Sequence, residues 1–211
     1  MRFKAVLFDW DGTLYDSIDT SFKIYEELFK KYANLNLTCD YFRKTFIVNY
    51  HQYYLMHGIP ESKWGEVDNH WLKRFHEMEK DIHLFPGVKE LLGRLKEKGM
   101  RIGLVSNGTG GRIKKEMDKN GIREYFDAVI TDDEIKDFKP NPVGVREALK
   151  VIHVDAKDSL YVGDMAEDVQ AGRNAGTSTA AVTWGAHSLD RLKPAKPDYI
   201  LDSVCELLGV L

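Results

Sequence analysis

An α/β fold is expected from this sequence: a parallel-sheet, Rossmann-like three-layer core with one small all-helical domain inserted into it. Short aliphatic runs recur along the chain, as in strands buried on both faces. Longer segments with helical periodicity separate them, and strand–helix–strand alternation builds parallel sheets through right-handed crossovers. One interval, of roughly 90 residues, is far longer than a single crossover needs, and a separate helical unit fits there.

The strand-like runs are Lys4–Phe8, Arg101–Val105, Ala128–Thr131, Ser159–Val162 and Thr179–Thr183, with Tyr199–Leu201 as a weaker sixth. Val88, Leu91, Leu92 and Leu95 follow the i, i+3, i+4, i+7 spacing of a helix face, which Lys98-Gly99 closes. Asn141-Pro142 has the form of an N-cap followed by proline at the first helical position, opening a helix to about Ile152. The long interval, from about Ser17 to Lys80, reads as helix throughout. Its Phe42, Phe46, Tyr50, Tyr53 and Tyr54 sit at helical spacing, followed by Trp64, Trp71 and Phe75. Phe85-Pro86-Gly87 marks the return to the main domain. The expected boundaries are 1–16 and 81–211 for the core and 17–80 for the insert, which should stand over the carboxyl ends of the strands.

The chain has 211 residues, 43% of them hydrophobic and 30% charged, which is enough apolar mass for a core and unlike a disordered composition. A net charge of −3 supplies no electrostatic footprint for nucleic acid. The apolar stretch before Asp9 is too short for a signal peptide, and no run approaches the ~20 residues of a membrane span. Cys39 and Cys205 are isolated, which argues against disulfides or a thiolate metal site. A soluble, cytoplasmic protein is expected. Oligomeric state is not legible.

Four short motifs carry chemistry, each at or just beyond the carboxyl end of an expected strand. Asp9-Trp10-Asp11-Gly12-Thr13 places two carboxylates two residues apart, on one side of an extended chain, with a glycine that lets the backbone turn away. Ser106-Asn107-Gly108 offers a hydroxyl, an amide and an open backbone to an oxyanion. Lys139-Pro140-Asn141-Pro142 sets a cation beside a helix start. In Gly163-Asp164-Met165-Ala166-Glu167-Asp168, a helix beginning at once would put Asp164 and Asp168 a turn apart on one side, an oxygen set that suits Mg²⁺. Taken alone, each motif also reads as a turn or a helix cap, and for the Ser106 and Lys139 motifs that is the preferred reading. Together they deliver two acid pairs, a hydroxyl and a lysine to one sheet edge, where open α/β sheets bind ligands.

This order of motifs resembles the haloacid-dehalogenase-like superfamily, and most closely its phosphoglycolate-phosphatase-like branch. The stretch Asp168-Val169-Gln170-Ala171-Gly172-Arg173-Asn174-Ala175-Gly176, then Val182-Thr183-Trp184-Gly185, is similar to that branch as well. The helical insert is similar in position to the superfamily's first type of cap. The resemblance implies a Mg²⁺-dependent phosphatase for a small phosphorylated molecule. Asp9 would be the nucleophile that becomes phosphorylated; Asp11 would protonate the leaving oxygen and then activate water. Ser106, the Asn107 backbone and Lys139 would hold the phosphoryl group. The ion would be bound by Asp9, the Asp11 main-chain carbonyl and Asp164, with Asp168 supporting from behind. Crowding among these acids is expected to help keep Asp11 protonated. The acid at Asp11 separates the sequence from dehalogenase members, which lack one there. Gly108 stands where relatives often carry lysine. Phosphoglycolate is the first substrate to test; a pyrophosphatase, a sugar-phosphate phosphatase or a phosphomutase shares the same core, and a phosphate-binding module without turnover is the rival outside enzymes.

Other residues are assigned bland roles. The aromatics of the insert read as its core. His51, His57, His70, His76 and His83 lack a paired metal spacing and read as surface or insert residues. Arg112, Lys114, Lys115 and Lys119 read as a solvated helix face. Arg43 and Lys44 are assigned to solvent.

Overall fold

The computed structural model describes residues 2–211. Six strands form one parallel sheet: β1 Ala5–Phe8, β2 Arg101–Val105, β3 Ala128–Ile130, β4 Ser159–Gly163, β5 Ser178–Val182 and β6 Tyr199–Leu201, in the order β3-β2-β1-β4-β5-β6. The order reverses between β1 and β4, which makes the ends of these two central strands the switch point where such sheets bind ligands. The expected strands are present, with ends displaced by a residue.

β1 explains why both of its faces had to be apolar. Val6 and Phe8 point into one buried cluster with Val88, Leu91, Leu92 and Leu95 of α5 (Val88–Glu97). Ala5 and Leu7 point into another with Val145, Ala148, Leu149 and Ile152 of α7 (Val143–Ile152). Burying each large aliphatic or aromatic side chain contributes roughly 1.5–3 kcal/mol. Helices α6 (Gly110–Asn120) and α8 (Ala166–Ala175) follow β2 and β4; α9 (Leu189–Leu192) and α10 (Leu207–Val210) complete the core.

Among the described residues the interval between Ser17 and Lys80 holds only helices and turns: α1 (Ile18–Ala33), α2 (Cys39–Thr45), α3 (Tyr50–Met56) and α4 (Trp64–Met78), with short 3₁₀ turns. Helix α1 buries Ile24, Tyr25, Leu28 and Phe29 along one stripe and ends at Asn34, which takes the left-handed conformation (φ 52°) that asparagine tolerates. Phe42, Tyr53 and Tyr54 pack around Tyr25 and Phe29, and Phe75 is buried against Trp71, so these rings pack the insert as expected, Tyr54 bordering a cavity as well.

Two local expectations shift. The helix after Lys139 starts one residue later than its proline suggested: Pro142 is the cap, and the Asn141 side chain accepts a hydrogen bond from the Val143 N–H (3.1 Å). Helix α8 starts at Ala166 rather than at Asp164. Asp164 therefore precedes the helix, and Asp168 sits in its first turn, accepting from the Met165 N–H (3.0 Å). No helix of the described residues is long and apolar enough to cross a membrane.

Candidate active site

Strand register assembles the site. Phe8 pairs with Leu104 on one side and Val162 on the other, so Asp9 lies level with the last residues of β2 and β4. Ser106 and Asp164 are each one residue further on. Period-two alternation then sends Asp9 and Trp10 to opposite faces. Trp10 is fully buried, stacked on Tyr15 (5.2 Å between centroids), and its indole N–H donates to Glu116 (2.7 Å). Gly12 turns the chain back at φ +78°, where a Cβ would lie 2.3 Å from an Asp164 oxygen. Only glycine allows both the turn and that approach.

Lys139 is the hub. Its ammonium, 6% exposed, bonds Asp9 Oδ1 at 2.5 Å and Asp168 Oδ1 at 2.8 Å. Asp168 also accepts from the Tyr161 hydroxyl (3.1 Å). Asp164 accepts from the Ala186 N–H (2.6 Å) and from the Thr13 hydroxyl (3.3 Å). Oxygens of Asp9, Asp164 and Asp168 come within 4.8 Å of one another, all buried. Three clustered carboxylates face one ammonium, and the excess shows in the acidity of Asp9 and Asp164. Burial, opposed by Lys139 and reinforced by the charge of Asp168, raises Asp9 to about 7. Burial and then the charges of Asp9 and Asp168 push Asp164 well above the usual carboxylate range. Lys139 is held protonated, because Asp168 and Asp9 outweigh the burial that opposes its charge. Buried oxygen ligands short of positive charge are a donor set that fits a hard dication such as Mg²⁺.

The side chain of Asp11 stands apart from this cluster. Arg112 clamps it (2.5 Å to Oδ2, 3.1 Å to Oδ1), and Ser17 donates to it at 2.7 Å. Burial favours the neutral acid, but the charge and hydrogen bond of Arg112, with Ser17, prevail and hold the carboxyl below its usual range. The expected protonated Asp11 is thus corrected: burial, with crowding, raises Asp9 and Asp164, and Arg112 keeps Asp11 ionised. The solvated reading of Arg112 is corrected too. Its side chain is 10% exposed, pairs with Glu116 (3.1 Å) as well as Asp11, and lies over the Phe75 ring (4.9 Å). A Cβ on Gly108 would come 2.5 Å from its guanidinium, so the absent side chain makes room for it. That glycine was the one available sign in the sequence.

Ser106 is buried, and its hydroxyl accepts from the Gly108 N–H (3.1 Å). The Asn107 side chain braces the lysine loop instead of facing a ligand: it donates to the Asp137 carbonyl and accepts from the Lys139 N–H, both at 3.0 Å. His187, which the sequence did not single out, is fully buried. Its Nδ1 accepts from the Ala166 N–H and its Nε2–H donates to the Phe46 carbonyl, both at 3.0 Å. That tautomer is neutral, so the approach of Glu167 (3.8 Å) is not an ion pair. Nothing local marks the residue, since its partners lie 21 and 141 positions away.

Asp9, Asp11, Ser106, Asn107, Lys139 and Asp168 all border one cavity of about 220 Å³, and residues of α1, α3 and α4 form much of its remaining wall. A shielded space with a carboxylate, a paired lysine and a cation-seeking acid cluster is suited to handling an anionic ester.

Comparison with known proteins identifies the family and the fold. Haloacid dehalogenase-like hydrolases match the chain over residues 6–182. The chain is 31% identical over 213 residues to the pyrophosphatase PpaX of Bacillus velezensis, covering 99% of this chain and 96% of that one. It is 30% identical over 220 residues to PpaX of Bacillus cereus, covering 100% and 97%. A predicted phosphoglycolate phosphatase from Haemophilus somnus superposes with a TM-score of 0.82 at 23% identity, covering 100% of this chain and 98% of that one. A hydrolase from Pseudomonas syringae gives 0.82 at 19%, covering 98% and 96%. The structural likenesses concern the fold; the sequence match spans most of the chain, from β1 to the end of β5. The chain belongs to the haloacid dehalogenase-like hydrolases.

Proposed function

We propose that the chain is a Mg²⁺-dependent phosphatase acting on a small phosphorylated molecule through a phosphorylated Asp9. The observation that carries the reading is the placement of Asp9: a carboxylate at the switch point of the sheet, open to the cavity, bonded to Lys139 and crowded by two further acids. Mg²⁺ would be held by Asp9, Asp164 and the main-chain carbonyl of Asp11, and would supply charge neutralisation for an anionic phosphoryl group. Asp168 has its oxygens committed to Lys139, Tyr161 and Met165, which fits an orienting role behind the ligands. Residues 17–80 act as the cap that closes the cavity and selects the substrate.

In the proposed reaction an Asp9 oxygen attacks phosphorus and the bond to the leaving oxygen breaks, with a proton from Asp11 going to that oxygen. Asp11 then takes a proton from water as the water attacks phosphorus, and orthophosphate leaves Asp9. Lys139, the Ser106 hydroxyl and the Asn107 backbone stabilise charge on the phosphoryl oxygens. Because Arg112 holds Asp11 ionised, the resting site is set for the second half. The first half requires the guanidinium to loosen so that Asp11 takes up a proton.

The test is phosphate release from a panel including phosphoglycolate, pyrophosphate and sugar phosphates, with and without Mg²⁺, for wild type and Asp9→Asn. Metal-dependent release that the variant abolishes is expected. Equal inactivity of both proteins on every compound would overturn the reading.

A further inference from the structure

The cavity has two unlike ends. Tyr25, Phe46, Tyr50, Tyr54, Trp71 and Leu72 supply an apolar and aromatic wall from the helical insert. The other end is the carboxylate–lysine cluster. A cavity of about 150 Å³ holds a benzene ring, and this one, at about 220 Å³, has room for a ring-sized leaving group. Phosphoglycolate and pyrophosphate would leave that aromatic wall without a partner.

Charge points the same way. Five carboxylates border the cavity (Asp9, Asp11, Asp68, Asp132 and Asp168) against two cations, Lys139 and Arg112. Each cation already serves two acids: Lys139 binds Asp9 and Asp168, and Arg112 binds Asp11 and Glu116. Arg43 and Lys44 do not border it. Once the phosphoryl group has engaged Lys139, a second anion on the substrate meets one further cation at the cavity wall, Arg112, which Glu116 still holds when Asp11 lets go, and it faces the acid that the insert contributes, Asp68.

Asp68, on α4, has one oxygen bonded to His51 Nε2 (2.8 Å), while its Oδ1, shielded from solvent, has only the Tyr54 hydroxyl near it and no hydrogen bond of ordinary geometry among the described residues. A carboxylate oxygen so weakly served, beside Tyr50 and Tyr54, projects negative potential toward the aromatic wall. Aromatic faces and an acid together are the chemistry that recognises an organic cation. We propose that the site selects a phosphomonoester whose alcohol has an aromatic or apolar body and a cationic end, and that Asp68 reads that end. The proposal rests on the phosphatase reading above and names its substrate class.

A matched series of phenyl phosphates keeps the leaving oxygen constant and varies only the para group: 2-aminoethyl, 2-hydroxyethyl, ethyl and carboxymethyl. Phosphoglycolate and pyrophosphate are run beside them. The aminoethyl ester is expected to exceed the ethyl ester in kcat/KM by about tenfold or more, the worth of a charged partner for a carboxylate oxygen shielded from solvent, with the carboxymethyl ester slowest. Asp68→Asn should bring the aminoethyl-to-ethyl ratio close to one. Tyr50→Leu, which removes an aromatic face and leaves the acid in place, should lower the same ratio several-fold. A hydroxyethyl ester as good as the aminoethyl ester would overturn the assignment of a cation. A carboxymethyl ester, phosphoglycolate or pyrophosphate outrunning the ethyl ester would overturn the substrate class and leave the phosphatase intact. Absence of Asp9-dependent release from every compound would instead remove the phosphatase reading itself.

Discussion

Replacing Lys139 by methionine would leave the Asp9 and Asp168 carboxylates facing each other in a buried site with no cation between them. Breaking a buried ion pair from one side costs about 3–5 kcal/mol, because the remaining charge has no compensation. Urea denaturation of Lys139→Met in the absence of divalent ions should show a loss of that order. Added Mg²⁺ should restore part of it, since a cation bound by the native acids stabilises the folded state. Restoration by Mg²⁺ would report the metal site without reference to turnover. A loss unaffected by metal would argue that the three acids do not form one. Arg112 shows a different logic at the same scale: its two acid partners hold it in place, and it sets the charge of Asp11.

At the scale of the element, the first turn of α6 decides that charge. The segment from Gly108 to Arg112 leaves β2 with no side chain at Gly108, and the guanidinium occupies the space that a Cβ would contest at 2.5 Å. Gly108→Ala should displace Arg112 from Asp11. An opposite charge within a few ångströms shifts a carboxyl by one to three units, so weakening the pair should raise the pKa of Asp11. Its contribution to the pH profile of kcat/KM is therefore expected to move to higher pH by about one unit. Arg112→Gln should move it in the same direction and further. A profile unchanged in both variants would mean that the arginine does not govern the acid during turnover. The same turn shows why the arginine misleads a sequence reader: at i and i+4 from Glu116 it has the spacing of an ordinary surface pair, and only β1, laid alongside, brings Asp11 within reach.

For the molecule as a whole, His187 joins core and insert. Its ring links the N-terminal turn of α8 to the Phe46 carbonyl at the end of α2. Burial, aided by the charge of Arg191, lowers its pKa from 6.5 to about 4, against the opposing effects of the Phe46 carbonyl and Asp168. The unfolded chain therefore binds a proton between pH 6.5 and 4 that the folded chain refuses. The stability contribution is complete above about 6.5 and is lost as pH falls toward 4, by about 3 kcal/mol in all. Denaturant midpoints across this range should fall more steeply for wild type than for His187→Gln, which has no proton to bind. Parallel slopes would show that the ring is not held neutral. Loosening at the Phe46 contact should also expose the cavity, since Phe46 forms part of its wall.

Sequence alone was sufficient for whatever is written in local order. Four-residue and five-residue apolar runs identified strands buried on both faces, because period-two alternation cannot satisfy two covered sides with polar residues. The same alternation put Asp9 and Asp11 on the side opposite Trp10, and the long helical interval announced an insert. Helix starts were legible to within about two residues, since caps compete over adjacent positions. Contacts between distant segments were decided only by tertiary structure. Arg112 meets Asp11 across 101 positions, His187 meets Phe46 across 141, and Lys139 meets Asp9 across 130. Lys139 could be named from its motif and Gly108 hints at Arg112, but His187 carries no local signature. Which cation neutralises which acid depends on strand register and on how the insert closes over the sheet. The cavity wall is of that kind too: periodicity marks Tyr50 and Trp71 as bulky helical residues, and it takes the packed helices to show that they and Asp68 face the same enclosed space.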